Sequence, residues 1–221
     1  MQIQSELNFK PYPISNIQHL NSNSYLLSFQ RDFDFHAGQI LALKIADADT
    51  PRYYSIASGI NDPQIDILFN VKPGSTFSPR LAGLVPGDLL QVSSPAGMFL
   101  GTAGPDIWIA AGTGIAPFRS MMRSGLSNGK ILLQGASAPE SLYFAEEFRA
   151  ALGEAYVPCL SRHSQPGIFH GRVTDYLRQL DQIDTEKTHY LCGSAEMVVD
   201  TRDILTERGV PFGKVLAEVY F

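Results

Sequence analysis

The chain is short of basic residues, of cysteine and of long apolar runs, and each shortage closes off a class of function. Seventeen Lys and Arg stand against 22 Asp and Glu in 221 residues, a net charge of −5. General binding to a nucleic-acid backbone needs a basic face, so it is not expected here. The two cysteines, Cys159 and Cys192, form no CxxC pair and no Cys/His cluster. A protein-bound iron–sulfur centre takes about four thiolates, so this sequence supplies none, and a reducing compartment disfavours a Cys159–Cys192 disulfide. No apolar run approaches the ~20 residues that cross a bilayer, and the start MQIQSELNFK lacks the basic and apolar regions of a signal peptide, so the expected location is the cytoplasm. What remains is an ordinary globular composition, 44% hydrophobic and 18% charged, sufficient for one large or two modest domains.

The most informative stretch is Ile107 to Met122. Ile107-Trp108-Ile109-Ala110-Ala111 is a short unbroken apolar run of the kind that suits a strand buried on both faces. Ile115 to Met122 has helical spacing, with Pro117 in the first turn where a missing N–H costs nothing. Gly112-Thr113-Gly114 therefore reads as a strand-to-helix turn whose bare amides and positive dipole suit a phosphate. Glycine there would let a phosphate approach the backbone closely. A tight turn without a ligand is the competing reading, because Pro117 stands where the usual dinucleotide fingerprint has its third glycine.

The same stretch divides the chain. Residues 1–101 carry short strand-like runs (Tyr25–Phe29, Gln39–Ile45, Arg52–Ala57, Ile65–Val71, Leu89–Ser93) separated by Gly, Pro, Asn and Asp, with one helical turn at Phe77–Leu84. That pattern predicts an antiparallel β barrel, closed or nearly so. Residues 102–221 alternate strand and helix: Ile107–Ala111 and Ile115–Arg123, Lys130–Gln134 and Glu140–Leu152, Tyr156–Leu160 and Gly171–Leu180, His189–Cys192 and Ala195–Arg208, then Lys214–Tyr220. Strict alternation predicts an α/β domain with a doubly wound parallel sheet, with the cut at Gly101–Gly104.

Within the barrel half, Arg52-Tyr53-Tyr54-Ser55 puts a fixed cation, aromatic rings and a hydroxyl on one strand. Alternation places Arg52 and Tyr54 on one face and Tyr53 and Ser55 on the other, unless the strand twists or bulges. By itself this reads first as a half-buried strand whose tyrosines pack and whose arginine is solvated.

Taken together, six motifs in order resemble the ferredoxin–NADP+ reductase superfamily across nearly the whole chain. They are Phe35-His36-Ala37-Gly38-Gln39; Arg52-Tyr53-Tyr54-Ser55; Pro73-Gly74-Ser75-Thr76-Phe77-Ser78 with Leu81 and Pro86-Gly87-Asp88; Gly112-Thr113-Gly114-Ile115-Ala116-Pro117; Cys192-Gly193-Ser194-Ala195-Glu196-Met197; and Glu218-Val219-Tyr220. The resemblance implies an FAD-binding barrel at 1–101 and an NADP-binding α/β domain at 102–221, with the flavin between them. It implies that Arg52 holds the flavin phosphate with the Phe77 and Ser78 amides, within a set that includes Tyr53, Val71, Lys72, Gly74 and Thr76. Tyr54 would lie on the flavin ring, Ser55 near the N5 atom that accepts hydride, and Tyr220 over the other face as a gate to the nicotinamide. Cys192 would pack beside the nicotinamide and Glu218 would hydrogen-bond Ser55 and relay a proton. Gly112, Thr113, Gly114, Pro117, Gly193 and Met197 would line the nucleotide site. Phe221 follows Tyr220, so either ring is a candidate cover. An inert buried thiol and a solvated strand residue are the plain alternatives for Cys192 and Glu218, and Cys159 is expected in the core.

A 2′-phosphate needs cations and hydroxyls at the end of the third strand, and Ser161-Arg162 stands there with Arg172 ten residues on and no acid between Val157 and Arg172. NADP(H) is the expected nucleotide. The expected partner is a separate ferredoxin or flavodoxin, with Arg80, Arg119 and Arg123 as candidate contacts for an acidic carrier, and a monomer is favoured. The function so implied is hydride transfer between NADPH and flavin N5, with single electrons passed to the carrier. An NAD(P)H:flavin reductase or the detached reductase of an oxygenase shares the fold. A non-catalytic flavin- or nucleotide-binding module and an electron-transfer subunit of a larger dehydrogenase are the remaining alternatives.

Overall fold

Antiparallel pairing organises the chain up to Leu100, where the first of two units ends and the second begins at Gly101. The computed structural model describes residues 7–220, with Tyr220 described by its backbone. The first unit holds β1 (Phe9–Asn21), β2 (Ser24–Gln30), β3 (Ile40–Lys44), β4 (Arg52–Ser55), β5 (Gln64–Asn70), helix α1 (Ser78–Ala82) and β6 (Leu89–Ser93). Their order is β4-β3-β6-β1-β2-β5. The two edge strands meet, because Ile56 bridges Ile67 and the Ala57 amide donates to Asp66 O at 2.8 Å. That junction makes the sheet barrel-like, and Phe29, Leu41, Leu43, Ile65, Ile67, Phe69, Leu90 and Val92 fill it.

The longest strand, β1, was absent from the sequence expectation because Pro11 and Pro13 argue against a central strand. The register explains it. Phe9 to Pro13 pair with β6 and Ile14 to Asn21 pair with β2, so the prolines fall where β1 has one neighbour. Tyr12 and Ile14 point inward and are 7% and 2% exposed, which supplies the burial that the polar residues around them lack.

The second unit holds β7 (Asp106–Ala111), α2 (Ala116–Arg123), β8 (Ile131–Ala136), α3 (Ala145–Leu152), β9 (Tyr156–Leu160), β10 (Phe169–His170), α4 (Val173–Gln179), β11 (Thr188–Ser194), α5 (Ala195–Glu207) and β12 (Val215–Tyr220). Every pair in this sheet is parallel, in the order β10-β9-β8-β7-β11-β12. Strand succession therefore runs one way from β7 to β10 and the other way from β11 to β12. In an open parallel sheet that reversal places a crevice outside the carboxyl ends of β7 and β11.

The helix expected over 140–152 is split. Pro139–Ser141 forms a 3-10 turn, Phe144 takes a left-handed conformation (φ 60°), and α3 starts at Ala145. Tertiary contacts hold the break: Gln134 Nε2 donates to Tyr143 O at 3.0 Å, and the Arg119 guanidinium stacks 4.1 Å above the Phe144 ring.

The Gly101–Gly104 stretch belongs firmly to the second unit. A Cβ on Gly101 would lie 2.7 Å from Leu126 Cδ1, so the backbone runs close against that side chain. The fully buried Lys130 ammonium donates to Thr102 O (2.9 Å), to Gly104 O and to the Asp106 carboxylate (2.5 Å), and sits over the Trp108 ring. Removing the cation would leave the buried Asp106 charge without it. Lys130→Met is expected to lower unfolding stability by about 3–5 kcal/mol, and Asp106→Asn added to it should recover part of that loss in urea denaturation.

His189 starts β11 fully buried, with Nδ1 donating to Lys187 O at 3.1 Å and Nε2 without a partner among the described residues. Burial favours the neutral ring and lowers its pKa below 6.5. The unfolded chain therefore binds a proton that the folded one resists, and stability falls as pH drops through the unfolded value. Between pH 7.5 and 5.5 the wild type should lose more stability than His189→Gln, by up to about 1.4 kcal/mol per pH unit below the unfolded pKa. Parallel urea titrations of the two proteins measure this difference.

Candidate functional site

Four turns of chain bring most of the sequence-selected residues to two places, one in each unit. In the barrel, β4 pairs with β3 through Leu43–Arg52, Ala42–Tyr53, Leu41–Tyr54 and Ile40–Ser55. Arg52 and Tyr53 are exposed, Tyr54 is half-buried and Ser55 is 2% exposed. The register is unbroken, so Tyr53 and Ser55 keep the shared face that alternation predicts, yet they differ in burial. The reason is local: the chain enters the barrel seam just after Ser55, where Ile56 and Ala57 bond to β5. The Tyr54 ring packs against Phe69 and Phe77, with centroids 6.2 and 6.5 Å away, and burial pushes its phenol up to about 12. It is a neutral ring at any physiological pH.

Beside it, Pro73 to Ser78 turn into α1. Gly74 has φ +77° with open space where a Cβ would lie. The Phe77 and Ser78 amides, expected to be free for a phosphate, both lie on the Ser75 hydroxyl (3.3 and 3.1 Å), and the Ser78 hydroxyl accepts from the Lys72 amide at 3.1 Å. The loop is thus folded by its own hydroxyls. Lys72, Gly74 and Thr76 are exposed, Val71 is half-buried, and Phe77 is in the core.

In the second unit, the turn after β7 is a 3-10 segment, Gly112–Ile115, leading into α2 with no side-chain cap and Pro117 in its first turn. The two glycines have different reasons. Gly112 has φ +56° and nothing within 4 Å of an added Cβ, so it faces open space. At Gly114 an added Cβ would lie 2.2 Å from Cys192 O and 2.7 Å from Gly193 N. The sequence reading gave a phosphate as the body that glycine admits; at Gly114 it is the backbone of β11.

That contact joins the turn to Cys192 and Gly193 at the crevice. Cys192 is fully buried and registers with Ala110 on β7 and Glu218 on β12. Its Sγ lies 3.9 Å from Glu218 Oε2, so thiol and carboxylate, selected separately from sequence, meet. Ser194 caps α5 by accepting from the Met197 amide at 3.3 Å. Met197, selected as a nucleotide contact, packs its side chain in the core cluster and is 9% exposed. The Tyr220 backbone registers beside Ser194 at this same edge, while Phe221 lies outside the described residues.

At the end of β9, Ser161 donates its amide to Ala136 O at 3.0 Å, and Arg162 is exposed with no hydrogen bond or ion pair among the described residues. β10 brings Arg172 alongside: the Gly171 amide donates to Leu160 O at 2.9 Å, and Arg172 Nη1 meets Glu196 Oε1 at 2.7 Å. Glu196 stands inside the Cys192–Met197 motif without an expected role, and its place in the first turn of α5 at the sheet's carboxyl edge is the signal that points to it. Cys159 is buried, with its thiol pushed up to about 12 by desolvation, which leaves it an inert core residue.

The candidate carrier contacts are all engaged. Arg80 is bidentate on Asp49 (2.7 and 3.2 Å), whose carboxyl it holds down at about 2, and Arg119 and Arg123 share Glu147 at 3.0 and 3.2 Å. No group of three or more His, Cys, Asp or Glu among the described residues is placed to hold a metal, and no helix among them is long and apolar enough to cross a membrane.

The donor sets fit the groups the sequence suggested. An exposed cation beside a flat half-buried ring and an open glycine turn suits a flavin phosphate and ring. A switch-point turn with open space at Gly112, an uncapped helix start and an exposed Arg162 suit a dinucleotide.

The chain is similar to several known proteins. The family model described as the oxidoreductase NAD-binding domain matches residues 108–203. Ferredoxin–NADP reductase B of Sorangium cellulosum is 32% identical over 220 residues, covering 88% of this chain and 90% of that protein. The propane 2-monooxygenase reductase component of Rhodococcus jostii is 26% identical over 85% of this chain, which spans 56% of that longer protein. Among solved structures, a ferredoxin NADP+ reductase from Neisseria gonorrhoeae with bound FAD and NADP superposes with a TM-score of 0.88 at 23% identity, over 98% of this chain and 100% of that one.

The two glycines of the turn give a paired test. Gly112→Ala meets only its positive φ and should cost about 1 kcal/mol. Gly114→Ala drives a Cβ into the Cys192 carbonyl and should cost about 1–3 kcal/mol more, read as a larger fall in the urea midpoint. Equal losses would mean that the β7–β11 approach does not need glycine.

Proposed function

As the chain belongs to the ferredoxin–NADP+ reductase superfamily and is an oxidoreductase of the flavin-dependent, NAD(P)H-linked kind, we propose that it binds FAD and NADP(H) and exchanges electrons between NADPH and a small one-electron protein carrier, a ferredoxin or flavodoxin. One observation carries the reading. Of eleven arginines, Arg52 and Arg162 are the two whose side chains have no hydrogen bond, ion pair or ring contact among the described residues, and they are two of the three that the family resemblance gives to phosphates, the third, Arg172, being paired with Glu196. The other nine are held by carboxylates, carbonyls or a ring. An exposed guanidinium left without a partner is ready for a bidentate anion.

FAD, when bound, accepts a hydride at N5 and releases its electrons one at a time, which is the link between a two-electron nucleotide and a one-electron carrier. The chain's own residues bind and orient. Arg52 fixes the flavin phosphate, Gly74 and Thr76 let the chain pass close to it, and the neutral Tyr54 ring offers a flat apolar face. In the second unit, the Gly112–Gly114 turn holds the pyrophosphate at the uncapped start of α2, and Ser161 and Arg162 read the 2′-phosphate. Cys192 supplies a small buried surface at the crevice, and Glu218 Oε2, which accepts from its thiol at 3.9 Å, is placed to relay a proton. The roles of Ser55, of Tyr220 and of Phe221 follow the family pattern and form part of the same proposal, as do the domain assignments 1–101 and 102–221.

Support for a ferredoxin as the acceptor comes from the Sorangium protein, a ferredoxin–NADP reductase by name and 32% identical to this chain. The Rhodococcus monooxygenase reductase favours the second reading, a reductase feeding an oxygenase. Arg80, Arg119 and Arg123 are each ion-paired, with Asp49 or Glu147, so an acidic carrier docking on them would compete with those carboxylates.

The test is spectroscopic. Protein purified with FAD and desalted should keep a yellow flavin that anaerobic NADPH bleaches faster than NADH, and Arg162→Ala should abolish that preference by raising the KM for NADPH alone. Equal bleaching by both nucleotides in the wild type would remove the NADP assignment. A colourless protein that reduces added free flavin would replace the carrier reading with a flavin reductase.

A further inference from the structure

The Arg172–Glu196 pair puts a carboxylate on the second arginine that the sequence offers for a 2′-phosphate. Arg172 is placed by backbone geometry. It follows β10, whose Phe169 and His170 register with Cys159 and Leu160 on β9, and the Gly171 amide bonds Leu160 O, so Arg172 lies next to the chain that continues into Ser161 and Arg162. Its own amide donates to Asp175 Oδ2 at 2.8 Å, which fixes it as the residue before α4. Glu196 comes from a different element, the first turn of α5, just beyond the Cys192–Ser194 end of β11. Two loops at the carboxyl edge of one sheet thus close on a single ion pair, Nη1 to Oε1 at 2.7 Å.

The pair is open to solvent, with side chains 63% and 69% exposed. Such pairs are weak and easily rearranged. A phosphate dianion arriving at Arg162 would compete with Glu196 for the Arg172 fork and would feel the like charge of the carboxylate. A ribose carrying a free 2′-hydroxyl would meet neither penalty.

Resting on the NADP reading above, we propose that Glu196 is a specificity-determining residue: it holds the Arg172 guanidinium away from the nucleotide and, by its own charge, lowers the enzyme's discrimination for a 2′-phosphorylated over an unphosphorylated adenosine ribose. Arg162 then does most of the phosphate recognition and Arg172 is a reserve whose use Glu196 limits. The dipole of α5 favours an acid in its first turn whatever the ligand, so stability alone does not separate this role from a helix charge.

Direct binding separates them. Isothermal titration of the FAD-loaded protein with adenosine 2′,5′-bisphosphate and with 5′-AMP reads the site without turnover. Glu196→Gln should tighten the bisphosphate by about 3–10-fold and leave 5′-AMP within about twofold, since one carboxylate–phosphate repulsion and one competing partner are removed at an exposed site. In Glu196→Gln with Arg172→Ala the gain should vanish while Arg162 still favours the bisphosphate. A bisphosphate affinity unchanged in Glu196→Gln, or an equal gain for 5′-AMP, would overturn the proposal. A wild type that binds bisphosphate no better than 5′-AMP would overturn the NADP reading itself, and this inference with it, whereas an intact wild-type preference with no response to Glu196→Gln overturns this inference alone.

Discussion

The second unit depends on a place where two backbones come close enough to exclude a methyl group. Strand order reverses between β7 and β11, and a reversal leaves two loops diverging from neighbouring strand ends. Here the loops are drawn together, with the Gly114 hydrogen directed at the Cys192 carbonyl and Gly193 crowded by Met197 Cε and Ala111 O. The consequence is positional. Cys192 is held fully buried beside β7, β12 sets Glu218 in register with it, and the thiol and carboxylate come within 3.9 Å. The chemistry-bearing end of the sheet is therefore built by glycine packing, and the open side of the turn, at Gly112, is what remains for a ligand.

The sequence made most strands of both sheets readable, through continuous apolar runs in β7, β8, β9 and β11 and short apolar runs bounded by Gly, Pro, Asn and Asp in the barrel. Its failures have specific causes. β1 hides because two prolines and a run of polar residues mimic a loop, while the single-sided pairing at Pro11 and Pro13 is a tertiary property. The break before α3 is invisible because nothing in Leu142-Tyr143-Phe144 forbids a helix; the Gln134 amide and the Arg119 guanidinium impose it from other elements. At Gly114 the structure supplies a neighbour that the sequence does not name, the β11 backbone, since a motif records that a Cβ is forbidden and not what forbids it.

Site residues divide along the same line. Arg52, Tyr54, Gly112, Cys192 and Arg162 sit where strand ends and turns bring them, which spacing predicts. Met197 does not, because its amide serves the α5 cap while its side chain turns to the core. The Phe77 and Ser78 amides do not stand free, because Ser75 takes them both. Partners of this kind, a hydroxyl two or three residues back, are locally encoded and were legible in Ser75 as a residue that bonds its neighbours' backbone.

Charge gives the last step. A net charge of −5 suggests little about anion binding, and counting arginines suggests little more. What distinguishes them is occupancy. Arg80, Arg119 and Arg123 are held by Asp49 and Glu147, so each already has a carboxylate partner. Arg172 is shared with Glu196 in an exposed pair that solvent weakens. Arg52 and Arg162 have no such partner among the described residues, one in the barrel and one at the end of β9. A guanidinium that bonds a carboxylate inside the protein must surrender that bond to accept a phosphate, and one that bonds only water surrenders much less. The order of anion affinity along this chain should therefore follow the partners each arginine already has, with Arg52 and Arg162 first, Arg172 conditional on Glu196, and the Glu147 pair last.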